Sequence, residues 1–257
     1  MNKEVFAIEN ALATTINKNI KFSIIIPAHN EELLIGRCID SIIAASAPYK
    51  DQVEIIVVLN RCTDRTEEIA LSYHCILVKE DSKNMSKIRN AGAKAAKGEI
   101  LVTIDADNRI TDNMLTEIEK QLLTGIYIGG GVNMKPERVS LGIIATVLIC
   151  IPFFIKYGFV SAGLFWCYKK DFDAINGFDE NLRMGEDLDF GLRLKKWGKK
   201  YNKKYGTVTQ AHMITSCRKA DLLGDWALFK NPRLLWGMLK GNVESLADEF
   251  FYDIRRK

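Results

Sequence analysis

Four short runs of aliphatic and β-branched residues, at 22–26, 54–58, 75–78 and 100–104, alternate with three stretches of helical periodicity at 31–45, 64–73 and 85–97. Parallel strands cannot be joined by tight hairpins and need crossover connections, so this alternation predicts an α/β fold built on a mostly parallel sheet flanked by helices. Beyond the fourth run, 111–123 reads as another helix with Thr111 as its cap, and 126–134 as a glycine-rich strand. The second half changes character. It holds a long apolar stretch, a strand at 161–168, a helix running through Trp197, and a C-terminal region rich in aromatics and lysines.

With 257 residues, 47% of them apolar, the chain has enough material for a full core. A net charge of +4 is too weak to argue for nucleic acid and is compatible with anionic ligands or a membrane surface. Six cysteines are scattered without a C-x-x-C pair, which argues against a zinc cluster or disulfide framework and for a reducing compartment. Glu4, Glu9 and Asn10 interrupt the apolar positions of the first twenty residues, so no signal peptide is expected and a cytoplasmic location is.

The fourth run leads directly into Asp105-Ala106-Asp107. Ionised carboxylates at the end of a buried strand need compensation, and the crevice beyond a parallel sheet offers a divalent cation carrying phosphates. A second acidic cluster, Glu186-Asp187 with Asp189, follows about eighty residues later. Together they suggest one group that holds a metal-diphosphate and another that takes a proton. Pro27-Ala28-His29-Asn30-Glu31 closes the first strand where nucleotides commonly bind, although Asn30 as a helix cap explains part of it. Asn60 to Thr66 forms a turn that either meets a base or simply starts a helix at Thr63 and Asp64. Arg89, on a helix with small residues suited to close packing, is placed to reach a diphosphate; Asp189 and Arg193 are spaced for a structural ion pair.

In order and spacing, Ser23 to Glu32, Arg89-Asn90-Ala91-Gly92, Gly98 to Asp107, and Gly177-Phe178-Asp179-Glu180 followed by Gly185 to Phe190 resemble glycosyltransferase family 2. The resemblance implies a GT-A fold and inverting transfer of a sugar from a nucleotide diphosphate to an acceptor hydroxyl. It implies Mg2+ or Mn2+ on Asp105 and Asp107, with His212 completing the shell, and Asp187 as general base. Donor contacts are expected at Pro27, Ala28, His29, Glu31, Asn60, Arg89, Asp105, Ala106 and Arg218, and acceptor contacts at Glu186 and Gly163. Where relatives usually carry an acidic pair, this chain has Leu59-Asn60, which leaves the choice between uridine and guanosine open. A polyprenyl-phosphate acceptor and a non-catalytic nucleotide-sugar-binding subunit are the alternatives. The catalytic domain is expected over 1–218, its donor half about 21–135 and its acceptor half about 136–218, with a helical extension over 219–257.

Residues 139–155 are uncharged and bounded by Arg138 and Lys156. That length sits at the lower limit of the about 17 to 25 residues a membrane-spanning helix needs. One crossing there would put Asp107 and Asp187 on opposite sides of the bilayer, so a simple span is rejected. Pro152 is expected to shorten this helix, which is then a core, dimer or interfacial element. Residues 222–257 interleave Trp226, Phe229 and Trp236 with cations, as helices lying on a membrane surface do. Peripheral membrane contact and a homodimer are therefore both compatible with this chain.

Overall fold

The computed structural model describes residues 19–157, 163–182 and 185–230. Strands β1 (Phe22–Ala28), β2 (Val53–Leu59), β3 (Ile76–Lys79) and β4 (Ile100–Ile104) lie in the order β3-β2-β1-β4, all parallel. Helices α1 (Ile35–Ser46), α2 (Thr66–Ser72) and α3 (Met85–Ala95) make the crossovers. Every residue of β1 and β4 is buried, which is why these strands read as unbroken apolar runs without alternation. The period of two still sorts their side chains. Ile24 and Ile26 join the core under α1, whereas Ile25 joins Ile56, Val58 and the α3 residues Ile88 and Ala93 on the other face. Close docking of α3 requires Gly92, because a Cβ there would stand 2.4 Å from the Ile25 side chain.

The remaining strands are β5 (Arg109–Ile110), β6 (Tyr127–Pro136), β7 (Leu164–Tyr168) and β8 (Lys204–Thr215), and they extend the sheet as β4-β7-β6-β8-β5. This half is mixed. β7 starts beside the residue where β4 ends, since the Asp105 N–H donates to the Gly163 carbonyl, so it runs back antiparallel along β4. Helices α4 (Met114–Leu123), α5 (Leu141–Tyr157), α6 (Lys169–Ala174), α7 (Glu186–Lys199), α8 (Arg218–Leu223) and α9 (Ala227–Lys230), with a 3-10 helix at Ala47–Gln52 between α1 and β2, complete the described elements. Phe165, Phe172, Phe178 and Phe190 bring β7, α6 and α7 together, with Phe178 and Phe190 stacked at 4.3 Å between centroids. Each such buried ring contributes roughly 1.5–3 kcal/mol, so this cluster fixes the start of α7 against the sheet.

Several boundaries differ from the sequence expectation for identifiable reasons. Helix α1 begins at Ile35 rather than at 31: Asn30 takes φ +54° and Leu34 stands off the helical region at φ −122°, so 31–34 form a turn that leads into the helix, with the Glu31 N–H donating to the Thr66 hydroxyl. Pro27 does not stop β1; pairing with β4 ends at Ile25, so the missing N–H falls beyond that ladder. Pro152 does not shorten α5, which continues to Tyr157, as a helix can when only one hydrogen bond is lost. Thr111 does not cap α4; its hydroxyl accepts the His212 N–H instead. The strand expected over 161–168 begins at Leu164, after Gly163 at φ +78°; positions 161 and 162 lie outside the described residues. Among the described residues no helix is long and apolar enough to cross a membrane. Of 219–257, the described part holds most of α8 and all of α9, and 231–257 lie outside the described residues.

Candidate active site

The carboxyl ends of β1, β2 and β4 point to one edge of the sheet, where Asp105 and Asp107 meet Arg89, Asp187, Glu186, Arg218 and Glu31. Asp105 and Asp107 sit in the turn after β4, closed by the Asn108 N–H donating to the Asp105 carbonyl at 3.0 Å. Ala106 between them is buried, and the two flanking carboxylates are partly exposed.

Arg89 reaches this turn from α3 and is 3% exposed. One terminal nitrogen donates to Asp105 at 3.0 Å. The other donates to Asp187 and, at 3.4 Å, to Glu186, both in the first turn of α7. Its Cζ lies 5.2 Å from the centre of the Phe178 ring. Burial opposes the guanidinium charge, but Asp187, Asp105 and Glu186 outweigh it and raise the Arg89 pKa above the ordinary arginine value. Burial in turn raises the Asp187 carboxyl, with Arg89 pulling it back and Asp105 adding to the rise. Glu186 is raised too, by burial and then by Asp187. A buried carboxylate with a raised pKa suits proton abstraction better than an exposed one. The second Asp187 oxygen accepts the Gly163 N–H at 3.1 Å. A side chain at Gly163 would meet Asn108, Met213 and Asp105 at 3.3–3.4 Å, so that glycine keeps the floor of the site open.

Arg218, the first residue of α8, crosses to the other side of the turn. Its two terminal nitrogens grip both oxygens of Glu31 at 2.6 and 3.0 Å, and one of them lies 3.3 Å from Asp107. Glu31 is 3% exposed, so this fork ties the end of β1 to α8 across the mouth of the site. Arg218 is raised in pKa, since its hydrogen bonds to Glu31 and the charge of Asp107 exceed the effect of burial.

His212 lies on β8, and its Nδ1 is buried without a partner. Carboxylate and imidazole are donor types that Mg2+ or Mn2+ takes. As they stand, no three acidic, histidine or cysteine side chains among the described residues converge on a common point for a metal. Asp105 and Asp107 face guanidinium groups instead.

Pro27 and Ala28 contribute buried backbone at the end of β1, and the His29 ring meets the Asn60 carbonyl at 2.5 Å. Asn60 is 1% exposed and its amide is spent within the protein. Its nitrogen donates to the Glu80 and Ser82 carbonyls at 2.5 and 2.8 Å, while its oxygen accepts from Arg61. Lys87 is exposed, and Asp189 pairs with Arg193 at 2.6 Å as the spacing suggests. Two further residues at the site received no role from sequence: Asn90, which stands in the Arg89 to Gly92 motif without one, and Asn108. Asn90 clamps Phe178 by accepting its N–H and donating to its carbonyl, each at 2.9 Å, and so joins α3 to the segment before α7. Asn108 is buried with an unpartnered Oδ1 next to Gly163. The Asn90 signal was available in its adjacency to Arg89; the Asn108 signal was not.

Residues 23–136 match the profile of glycosyl transferase family 2. Among curated proteins, the chain is 28% identical over 190 residues to the uncharacterized glycosyltransferase EpsJ of Bacillus subtilis, covering 66% of this chain and 54% of that protein. It is 23% identical to the glycosyltransferase GlyA of Streptococcus pneumoniae over 70% of this chain and 24% of that protein. The chain thus spans about half, or less, of the length of these relatives. Among solved structures, glucosyl-3-phosphoglycerate synthase from Mycobacterium tuberculosis, in complex with Mg2+ and uridine diphosphate, superposes with a TM-score of 0.59 at 19% identity, over 91% of this chain and 83% of that one. The Pyrobaculum calidifontis mannosyltransferase PcManGT, in complex with GDP-Man and Mn2+, gives 0.57 at 19% identity, over 75% and 55%. These likenesses show the GT-A fold.

Proposed function

We propose that this chain, whose residues 23–136 belong to glycosyl transferase family 2, transfers a sugar from a UDP- or GDP-sugar to an acceptor hydroxyl with inversion. The observation that carries the reading is the Arg89 guanidinium, which holds Asp105 on the donor side and Asp187 on the acceptor side within one hydrogen-bonded unit. In this reading Asp187 removes the proton of the acceptor hydroxyl as its oxygen attacks the anomeric carbon. The bond to the diphosphate breaks on the opposite face, and a single displacement inverts the configuration.

Asp105, Asp107 and His212 would hold Mg2+ or Mn2+, which when bound neutralises charge on the departing diphosphate. Complexes of both folds named above, one with Mg2+ and one with Mn2+, support that part of the reading. Arg218 adds a cation on the same side, free to exchange Glu31 for phosphate oxygens. His29, with the backbone of Pro27 and Ala28, would line the nucleoside side, where Asn60 acts by bracing the two loops. Glu186 and Gly163 would border the acceptor. The proposed catalytic unit is 1–218, with 219–257 as its helical extension, and the free thiols of Cys38, Cys62, Cys75, Cys167 and Cys217 support a reducing, cytoplasmic setting.

Calorimetry with UDP and GDP, with and without Mn2+, tests the donor site on the wild type and on Asp107→Ala. One nucleotide should bind with Mn2+, and the substitution should remove the metal-dependent part. Binding of neither nucleotide by the wild type would overturn the reading. A lipid-linked acceptor is favoured as a second reading by the exposed apolar helix α5, and comparing turnover on extracted lipids with turnover on soluble glycans separates the two.

A further inference from the structure

Helix α8 spans six residues, too few to persist on its own hydrogen bonds, so it depends on what fastens it to the protein. Apolar burial does little of this. Cys217, just before α8, is 7% exposed, but no side chain described in 218–230 is buried, and Leu222, Leu223, Trp226 and Phe229 are all exposed. Two arginine forks hold the α8–α9 segment instead. Towards its far end Arg138 takes Asp221 and Asp225 at 2.6–3.0 Å, where Asp225 also lies against Gly142. At the start of α8, Arg218 takes both oxygens of Glu31.

The two forks differ in their surroundings. Arg138 and Asp221 are exposed, and water screens their pairing. Glu31 is 3% exposed, so stripping the guanidinium from its carboxylate carries a desolvation cost that the outer fork does not. Arg218 closes on Glu31 with both terminal nitrogens, at 2.6 and 3.0 Å, and one of them also lies 3.3 Å from Asp107. A guanidinium fork fits a carboxylate and a phosphate alike but holds only one of them at a time. A diphosphate gripped by this fork beside Asp107 therefore takes it from Glu31.

We propose that Glu31 is a built-in competitor of the donor diphosphate for the Arg218 fork, and that exchange between the two releases α8 from the mouth of the site. The competition rests on the reading of Arg218 as a diphosphate ligand. Apparent nucleotide affinity is then reduced by the fraction of molecules in which Arg218 is off Glu31. When the diphosphate leaves, the buried carboxylate draws the fork back and α8 with it.

Calorimetry with UDP and with GDP in the presence of Mn2+ tests this on Glu31→Gln, Arg218→Ala and the double variant. Glu31→Gln keeps the size of the side chain but loosens the fork, and should tighten binding about fivefold. Arg218→Ala should weaken binding, and in that background Glu31→Gln should change nothing, because Glu31 acts only through Arg218. A pair that merely braces the fold would give losses in both single variants. Tightening by Glu31→Gln that persists without Arg218 would be plain charge repulsion, and either result overturns the proposal. Wild-type binding that Glu31→Gln leaves unchanged overturns it too while the donor reading stands, whereas no binding by either the wild type or Glu31→Gln overturns both. Should Glu31→Gln fold poorly, the wild type still decides. The fluorotryptophan NMR signal of Trp226, assigned with Trp226→Phe, should shift on nucleotide binding and shift less in Arg218→Ala; an unmoved signal overturns the release of α8.

Discussion

Asp105 and Asp187, eighty-two positions apart, are held on the two terminal nitrogens of a single buried guanidinium, that of Arg89. Neither carboxylate is placed by its own strand or helix alone. The turn after β4 aims one and the first turn of α7 aims the other, and the arginine sets the spacing between them.

Removing that cation should therefore cost both stability and activity. Arg89→Ala leaves Asp105, Glu186 and Asp187 facing one another at a largely buried site, and loss of one partner in such an assembly typically costs about 3–5 kcal/mol. Urea denaturation measures the loss. Arg89→Lys keeps the charge without the fork and should recover part of the stability but little transfer, because one ammonium cannot hold both carboxylates in their present geometry. Full turnover in Arg89→Lys would show that the two carboxylates act independently.

Asp187→Asn should lower the rate of transfer about a hundredfold or more, the range of a lost general base, while nucleotide affinity stays as in the wild type. Steady-state kinetics and calorimetry on the same preparation check both halves. Substantial residual turnover would remove Asp187 from the role of base.

Asn60 gives a prediction of a different kind, since its amide is fully used inside the protein. Asn60→Ala strands the Glu80 and Ser82 carbonyls and should destabilise the fold by about 1–3 kcal/mol, read by thermal or urea unfolding. Asn60→Asp should do worse, because a carboxylate would then face two carbonyl oxygens. If nucleotide affinity collapses in Asn60→Ala while stability is unchanged, the side chain contacts the base directly.

Acid should loosen the α8–α9 segment within a defined window. Hydrogen bonds from Arg138 and then Ser140 hold the Asp225 carboxyl at about 2, below its ordinary 3.8. A depressed folded pKa contributes stability that is fully present above 3.8 and is lost as the pH falls from there through about 2. Fluorotryptophan NMR of Trp226, the residue following Asp225, should report a transition in that window, and Asp225→Asn should abolish it. An unaltered transition in the variant would assign it to another group.

Much of the site was legible along the chain because its parts sit at the ends of regular elements. The buried run before Asp105 announces its strand, and Glu186-Asp187 opens a helix whose i,i+4 pair, Asp189 and Arg193, forms as spaced. What could not be read were pairings between distant segments. The use of Asn60 by the loop at 80–82, of Glu31 by Arg218, and of Thr111 by His212 depends on which loops the sheet brings together. Local periodicity carries no record of that.

By itself the sequence determined the layered α/β architecture, since unbroken apolar runs alternating with stretches of 3.6-residue period admit few other arrangements, and it determined which residue types stand at the strand ends. The tertiary structure alone decided the order and direction of β7, β6, β8 and β5, and with them which carboxylate meets which arginine. It also decided that, over 141–151, α5 keeps one apolar side exposed while Gly142 on the other lies against Asp225. The physical reason is the same in each case: hydrophobic pattern acts over one or two turns of chain, whereas ion pairs and burial are settled only when segments distant in sequence compete for the same neighbours.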